Sequence, residues 1–287
     1  MEKIKSGRPA AFRMIHHVDR ATIDRMYREY SPVFLLSTGR SGSKFLANLL
    51  ALSPNTAAFH EPRPTLQYFS DYAFHHQEEK AILTNMIDVA RMESILEIFI
   101  KDKIYVESNQ CLSFFAPVIA ERFKKAKFVH VIRHPGDFVR SALRKGWHRN
   151  DSIWEAGRVK IADKKQWEGM DQIEKLAWVW VTTNRFIDFF KEAIAPSRSL
   201  TLTFEALVSD IDAVERLMEF TGGGAIDTVK IGEMQSARVN ELYIHPGEPP
   251  NMKKVVDFPR YTDWDREMKA KLMRIAADLA STYGYRL

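Results

Sequence analysis

The stretch FLLSTGRSGSKFLANLL, residues 34–50, passes from an apolar strand through a short basic loop into a helix. The apolar run Val33 to Leu36 has no alternation, which suits a strand buried on both faces. A loop of small residues between such a strand and a helix aims backbone N–H groups and the positive end of the helix dipole at one point. That is a cradle for an anion. The familiar version reads G-x-x-x-x-G-K-[ST], with a lysine on terminal phosphates and a hydroxyl on magnesium. Here Ser37 takes the place of the first glycine, and Gly42 is followed by Ser43 and Lys44 in the reverse order. The loop is made for an anion but lacks the residue order that recruits a metal.

Outward from this loop the pattern alternates. The N-terminal arm, residues 1–30, carries a helix over Ala21–Tyr30. The strand Val33–Ser37 leads to a helix ending near Leu52. A second strand, Thr56–His60, is broken by Glu61 and Pro62, and Thr65–Lys101 reads as helical. A third strand, Lys103–Ser108, precedes a helix over Phe114–Lys124. The fourth, Phe128–Ile132, stops at RHPGD, where Pro135 and Gly136 end it and Asp137 is placed to cap the next helix. Residues 145–170 turn polar around Trp147, Trp154 and Trp167, as a partly helical lid would. Then come an apolar helix over Asp171–Ala195, a strand passing into a helix over Ser199–Leu207, an irregular stretch over Asp227–Arg260, and a closing helix over Asp265–Tyr283. Short apolar strands alternating with helices predict an α/β fold of three layers. In it a mainly parallel central sheet is covered by helices on both faces, in a single domain over residues 1–287. Ligands then belong at the carboxyl ends of the strands.

Composition narrows the class. Of 287 residues, 45% are hydrophobic and 28% charged, which is ordinary globular usage, and the net charge of +5 favours an anionic ligand. The single cysteine, Cys111, excludes an internal disulfide and a multi-cysteine zinc site. With no signal-peptide core near Met1 and no run of eighteen uncharged apolar residues, the expectation is a soluble cytoplasmic protein without a membrane span.

A second loaded stretch is VIRHPGDFVRSAL, residues 131–143. Arg133 leaves a strand end and Ser141 lies about a turn into the following helix, so a guanidinium fork and a hydroxyl can both address a phosphate. Two such sites fit a nucleoside carrying phosphate at both ends. TGRSGSKFL followed at this distance by RHPGDFVRS resembles the two cofactor motifs of the sulfotransferases that use 3′-phosphoadenosine-5′-phosphosulfate (PAPS). LTFEALVSD (residues 202–210) and the closing DWDREMKAKLMRIAADLASTYGY (residues 263–285) extend the similarity over Val33–Tyr285. The resemblance implies a P-loop NTPase-like sulfotransferase fold, with Arg40, Ser41, Gly42, Ser43, Lys44 and Phe45 on the 5′-phosphosulfate and with Arg133 and Ser141 on the 3′-phosphate. Many cytosolic members carry lysine where this chain has Arg40, so Lys44 is a candidate to share the cationic task.

Sulfuryl transfer moves a neutral SO₃-like group in line, and charge develops on the bridging oxygen of the departing phosphate. By analogy with phosphoryl transfer, positioning and fixed positive charge suffice, and no metal is expected. The acceptor hydroxyl needs a base. Glu61, just past the second strand, is the first choice, as several bacterial and protein-tyrosine members place a glutamate in that region. His60 is its neighbour, but successive strand residues face opposite ways. Glu107 in YVESN is the reserve base, where cytosolic relatives often have a lysine and a histidine. A P-loop kinase would need a metal-binding hydroxyl after Lys44, where Phe45 stands, and an acid at the strand end that carries Arg133. A nucleic-acid-binding module would need clustered lysines with interleaved aromatics, which the chain lacks. The acceptor is expected to be a small molecule or glycan. The tryptophans of residues 145–170 either stack on it or form the core of the lid.

Overall fold

The computed structural model describes residues 18–148, 153–236 and 257–287. The start of the N-terminal arm, the middle of the 145–170 excursion with the Trp154 side chain, and residues 237–256 lie outside the described residues.

Five strands, β1 (Val33–Leu36), β2 (Thr56–His60), β3 (Ile104–Ser108), β4 (Lys127–Ile132) and β5 (Ser199–Thr203), form one parallel sheet in the order β2-β3-β1-β4-β5. Leu35 lies opposite Ser108 of β3 and Val129 of β4, and Ile132 lies opposite Thr203, so the carboxyl ends share one edge. The chain leaves β1 towards β2 and leaves β4 towards β5. The adjacent strands β1 and β4 therefore send their connections in opposite directions, and a crevice opens between them at the switch point.

Side-chain alternation along β1 builds two layers from four residues. Val33 and Leu35 enter a core with Phe45, Leu46 and Leu49 of the helix Ser43–Leu50 and with Leu217 and Met218 of the helix Ile211–Thr221. Phe34 and Leu36 enter the opposite core with Tyr105, Phe115, Phe128 and Phe190. Each such side chain contributes about 1.5–3 kcal/mol when fully buried. A third cluster joins the helices Pro135–Arg144, Gln172–Glu192 and Arg266–Thr282 through Phe138, Trp180, Trp264 and Leu279. Trp147 and Trp167 are buried in it, so these two tryptophans are core of the excursion.

Local chemistry moves some boundaries. The helix after β4 begins at Pro135 and is capped by His134, whose Nδ1 accepts from the Gly136 N–H at 3.2 Å. Asp137 lies in its first turn, because proline at the first helical position sets the start earlier than Asp137 would. The segment after β3 starts as a 3₁₀ turn over Gln110–Phe115, capped by Asn109, before the helix Ala116–Arg122. A helix over Thr228–Ser236 occupies part of the stretch expected to be irregular, with Asp227 accepting from the Val229 N–H at 2.9 Å. Among the described residues no helix is long and apolar enough to cross a membrane.

Candidate active site

The loop after β1 is wound by left-handed residues: Gly39 at φ 75°, Arg40 at φ 53° and Gly42 at φ 78°. Glycine is required twice over. A Cβ on Gly42 would lie 2.1 Å from the Phe204 ring, and one on Gly39 would lie 1.3 Å from Gln110 Oε1. Gly42 caps the helix Ser43–Leu50 without any side-chain bond, which leaves the first N–H groups of that helix for a ligand. The base of the loop is clamped by Ser113, which receives the Ser37 N–H at 3.2 Å and donates to the Ser37 carbonyl at 2.9 Å. Ser41 Oγ donates to the Gly39 carbonyl at 3.0 Å. Lys44 is half-buried in the first helical turn. The Phe45 ring packs edge-on against Phe204 with centroids 6.3 Å apart, so what Phe45 offers the crevice is its backbone N–H.

Two stretches that read as separate anion sites meet here. Arg40 Nε donates to Ser141 Oγ at 3.1 Å, and Arg133 Nη1 donates to the Arg40 carbonyl at 2.6 Å. Arg133 lies over the Phe204 ring, with Cζ 5.0 Å from the centroid, and its buried Nε has no partner among the described residues. Burial pushes the Arg40 guanidinium down to about 10, the Arg133 charge adds to this, and Glu61 opposes it. Burial also holds Arg133 below the usual arginine range, against the pull of Asp137 and Glu205. Both remain cations at neutral pH. The Arg133 guanidinium meets the Arg40 backbone carbonyl, its charge acts on the Arg40 guanidinium, and a bound anion would relieve both. Next to Arg133, a cleft of about 410 Å³ is lined by His134, Asp137, Arg140, Arg260 and Tyr261. This is within the size range of small-molecule sites.

Glu61 follows β2 in the left-handed region at φ 45°, where a non-glycine residue is uncommon and often functional. Its N–H donates to the Ser108 carbonyl at 3.1 Å, while its carboxylate has no hydrogen-bond or ion-pair partner among the described residues. Its charge is felt by both Arg40 and Cys111. His60 is turned to β3, with Nδ1 3.3 Å from the Ser108 carbonyl. The reading of Glu107 as a reserve base is corrected. Its carboxylate is fully buried and occupied by Arg91 Nε at 2.6 Å, Arg91 Nη2 at 2.8 Å, Tyr105 Oη at 2.7 Å and Asn109 Nδ2 at 2.9 Å. Four donors leave it no lone pair for a substrate proton.

Ser113, Gln110 and Phe204 shape the loop and were not singled out from sequence. Only Phe204 had a signal, as the first helical residue of LTFEALVSD.

The sulfotransferase family model, Sulfotransfer_3, matches residues 32–224, and the chain belongs to this family. The omega-hydroxy-beta-dihydromenaquinone-9 sulfotransferase Stf3 of Mycobacterium bovis is 27% identical over 127 residues, as is its Mycobacterium tuberculosis counterpart. The match covers 44% of this chain and 30% of those relatives. Among solved structures, the sulfotransferase domain from the curacin biosynthetic pathway aligns over 91% of this chain and 99% of its own, with a TM-score of 0.53 at 17% identity, which shows the shared fold. A mouse sulfotransferase, SULT7A1, complexed with PAP, aligns over 93% of this chain and 94% of its own, with a TM-score of 0.49 at 14% identity.

Proposed function

We propose that this chain transfers a sulfuryl group from PAPS to an acceptor hydroxyl, a carbohydrate or small alcohol, with Glu61 as base and without a metal. The observation that carries the reading is the meeting of Arg40, Arg133 and Ser141 at the switch point, with a buried guanidinium nitrogen of Arg133 unpaired. This donor set suits a ligand with two phosphate groups. Arg133 and Ser141 would hold the 3′-phosphate, and residues 40–45 the 5′-phosphosulfate. PAPS when bound supplies the sulfuryl group and the phosphate that departs. Arg40, with Lys44, stabilises negative charge growing on the bridging oxygen. Glu61 takes the proton of the acceptor hydroxyl as the new S–O bond forms and the bond to the departing phosphate breaks. The backbone at Gly39 and Gly42 holds the loop in place, so little reorganisation is needed at the moment of transfer.

Calorimetry with 3′-phosphoadenosine-5′-phosphate (PAP) tests the cofactor. Binding much tighter than that of 5′-AMP is expected, and equal affinity would remove the roles of Arg133 and Ser141. Transfer of labelled sulfuryl should continue in excess EDTA, whereas strict magnesium dependence would favour a kinase-like reaction.

A further inference from the structure

A second, smaller cavity of about 50 Å³ is lined by Ser37, Thr38, Cys111, Trp147, His148 and Arg158 among others. Ser37 and Thr38 of the loop form part of its wall, and so do Gln110 and Trp147, which stand against Gly39. Cys111 feels the Glu61 charge, and Arg40 feels that of Arg158. His148 is the anomaly in its wall. The side chain is about 2% exposed, and neither ring nitrogen has a hydrogen-bond partner among the described residues. Glu155 Oε2 is 3.6 Å from Nδ1, beyond hydrogen-bond reach, because that carboxylate is taken by the His148 N–H at 2.7 Å and by Arg158 Nε at 2.7 Å. Trp167 stands edge-on to the imidazole with centroids 5.0 Å apart. Burial, helped by Arg158, Lys160 and Lys175, lowers the imidazole to about 3, so it is neutral, with one nitrogen donating and one accepting. Its backbone is left-handed, at φ 59°. Buried polar atoms are nearly always paired, and an orphan at a cavity wall points to a missing partner.

The cavity also limits what that partner is. It holds roughly three or four water-sized groups, and a benzene ring needs a cavity of about 150 Å³. Its described lining carries no carboxylate, and its one cation, Arg158, is already paired with Glu155 and stacked on Trp147 at 3.9 Å. The walls include Phe114, Val159 and Val179. A ring does not fit, the one cation of the wall is already answered, and a narrow alkyl end bearing one hydroxyl satisfies both size and polarity.

We propose that this cavity receives the hydroxyl-bearing end of the acceptor, an uncharged primary alcohol on a slender chain, and that the His148 imidazole hydrogen-bonds that hydroxyl. This rests on the sulfotransferase reading above. His148 donates to the hydroxyl oxygen and fixes its direction, leaving the hydroxyl proton to Glu61.

The test uses 1-octanol, cyclohexanol and phenol as acceptor probes with labelled PAPS. The expected kcat/KM for 1-octanol is at least about tenfold above the other two. His148→Phe, which fills the space without a polar atom, should cut kcat/KM for 1-octanol about tenfold, mostly through KM, at unchanged affinity for PAP. His148→Asn, which keeps a donor and an acceptor and tolerates the left-handed backbone, should restore it to within about threefold. Should His148→Phe fail to fold, nitrogen-15 resonances of the wild-type imidazole take over as the readout, and they must shift when 1-octanol is added to the PAP-bound protein. Equal use of cyclohexanol or phenol, an unchanged kcat/KM in a folded His148→Phe protein, or unshifted imidazole resonances would overturn the inference. PAP binding without transfer to 1-octanol sinks this inference alone, whereas absence of PAP binding removes the sulfotransferase reading beneath it.

Discussion

Two sets of arginines stand at the carboxyl edge of the same sheet, Arg91 buried and Arg40 with Arg133 half-buried, and they are treated in opposite ways. Arg91 is saturated: besides both Glu107 oxygens, it donates to the carbonyls of Pro64 at 2.7 Å, Ala90 at 2.9 Å and Pro62 at 3.3 Å. Burial works against its charge, but the hydrogen bonds and charge of Glu107 outweigh it and hold the proton above the ordinary arginine value. Arg40 and Arg133 have each other and too few acceptors, and both are pushed down. Both environments are desolvated, so burial alone does not separate scaffold from site. What separates them is whether the charge is answered within the chain. The saturated arginine also grips the carbonyls of Pro62 and Pro64, the segment that follows Glu61. On the proposed function, one arginine fixes the turn that presents the base, and the other two are the ligands of the anion.

Glu61→Gln tests the unsaturated side most sharply. It keeps the shape and removes proton acceptance, so turnover should fall by about 10²- to 10⁴-fold while calorimetry shows unchanged affinity for PAP. Near-full turnover would mean that the unpaired carboxylate is only a surface charge. Glu107→Gln tests the saturated side by leaving Arg91 with an uncompensated charge in the core. Urea denaturation should record a loss of about 3–5 kcal/mol. A protein as stable as the parent would show that Arg91 is not held as its four-donor partner implies.

Arg133→Ala should separate the two kinds of site further, costing about 2–5 kcal/mol of PAP binding. Its unfolding midpoint without ligand should not fall, because the repulsion with Arg40 is lost along with the guanidinium. A stability loss matching that of Glu107→Gln would erase the distinction. The smallest effect is expected for Ser141→Ala, which removes one neutral hydroxyl and should weaken PAP binding by about 0.5–1.5 kcal/mol.

Sequence exposes what is local. The loop Ser37–Lys44 and the stop at RHPGD were legible because glycine, proline and small polar residues punctuate the backbone directly, and unalternating strands such as Val33–Leu36 announce a covered parallel sheet. The neighbours of each strand were not legible, since parallel pairs such as β1 with β4 join residues far apart in the chain. Glu107 was misread for the same reason. A carboxylate at a strand end looks alike whether it faces a crevice or an arginine arriving on the helix Lys80–Ile100. The contact between Arg40 and Ser141, and the unpaired ring of His148, likewise exist only once the 145–170 excursion and the strand ends converge.

The fit of Gly42 against Phe204 has a consequence for how the molecule comes into being. The loop is synthesised before the ring that backs it, which opens the helix Phe204–Ser209 directly after β5, the last of the five strands in chain order. Pairing across such separations is slow, because the entropy of closing long loops is lost before the contacts are gained. A nascent chain that ends before Ser199 therefore has the glycines without their wall. On this order of events, competence to hold an anion appears late and abruptly, and a stalled or proteolysed chain lacking β5 should be unable to sequester the nucleotide.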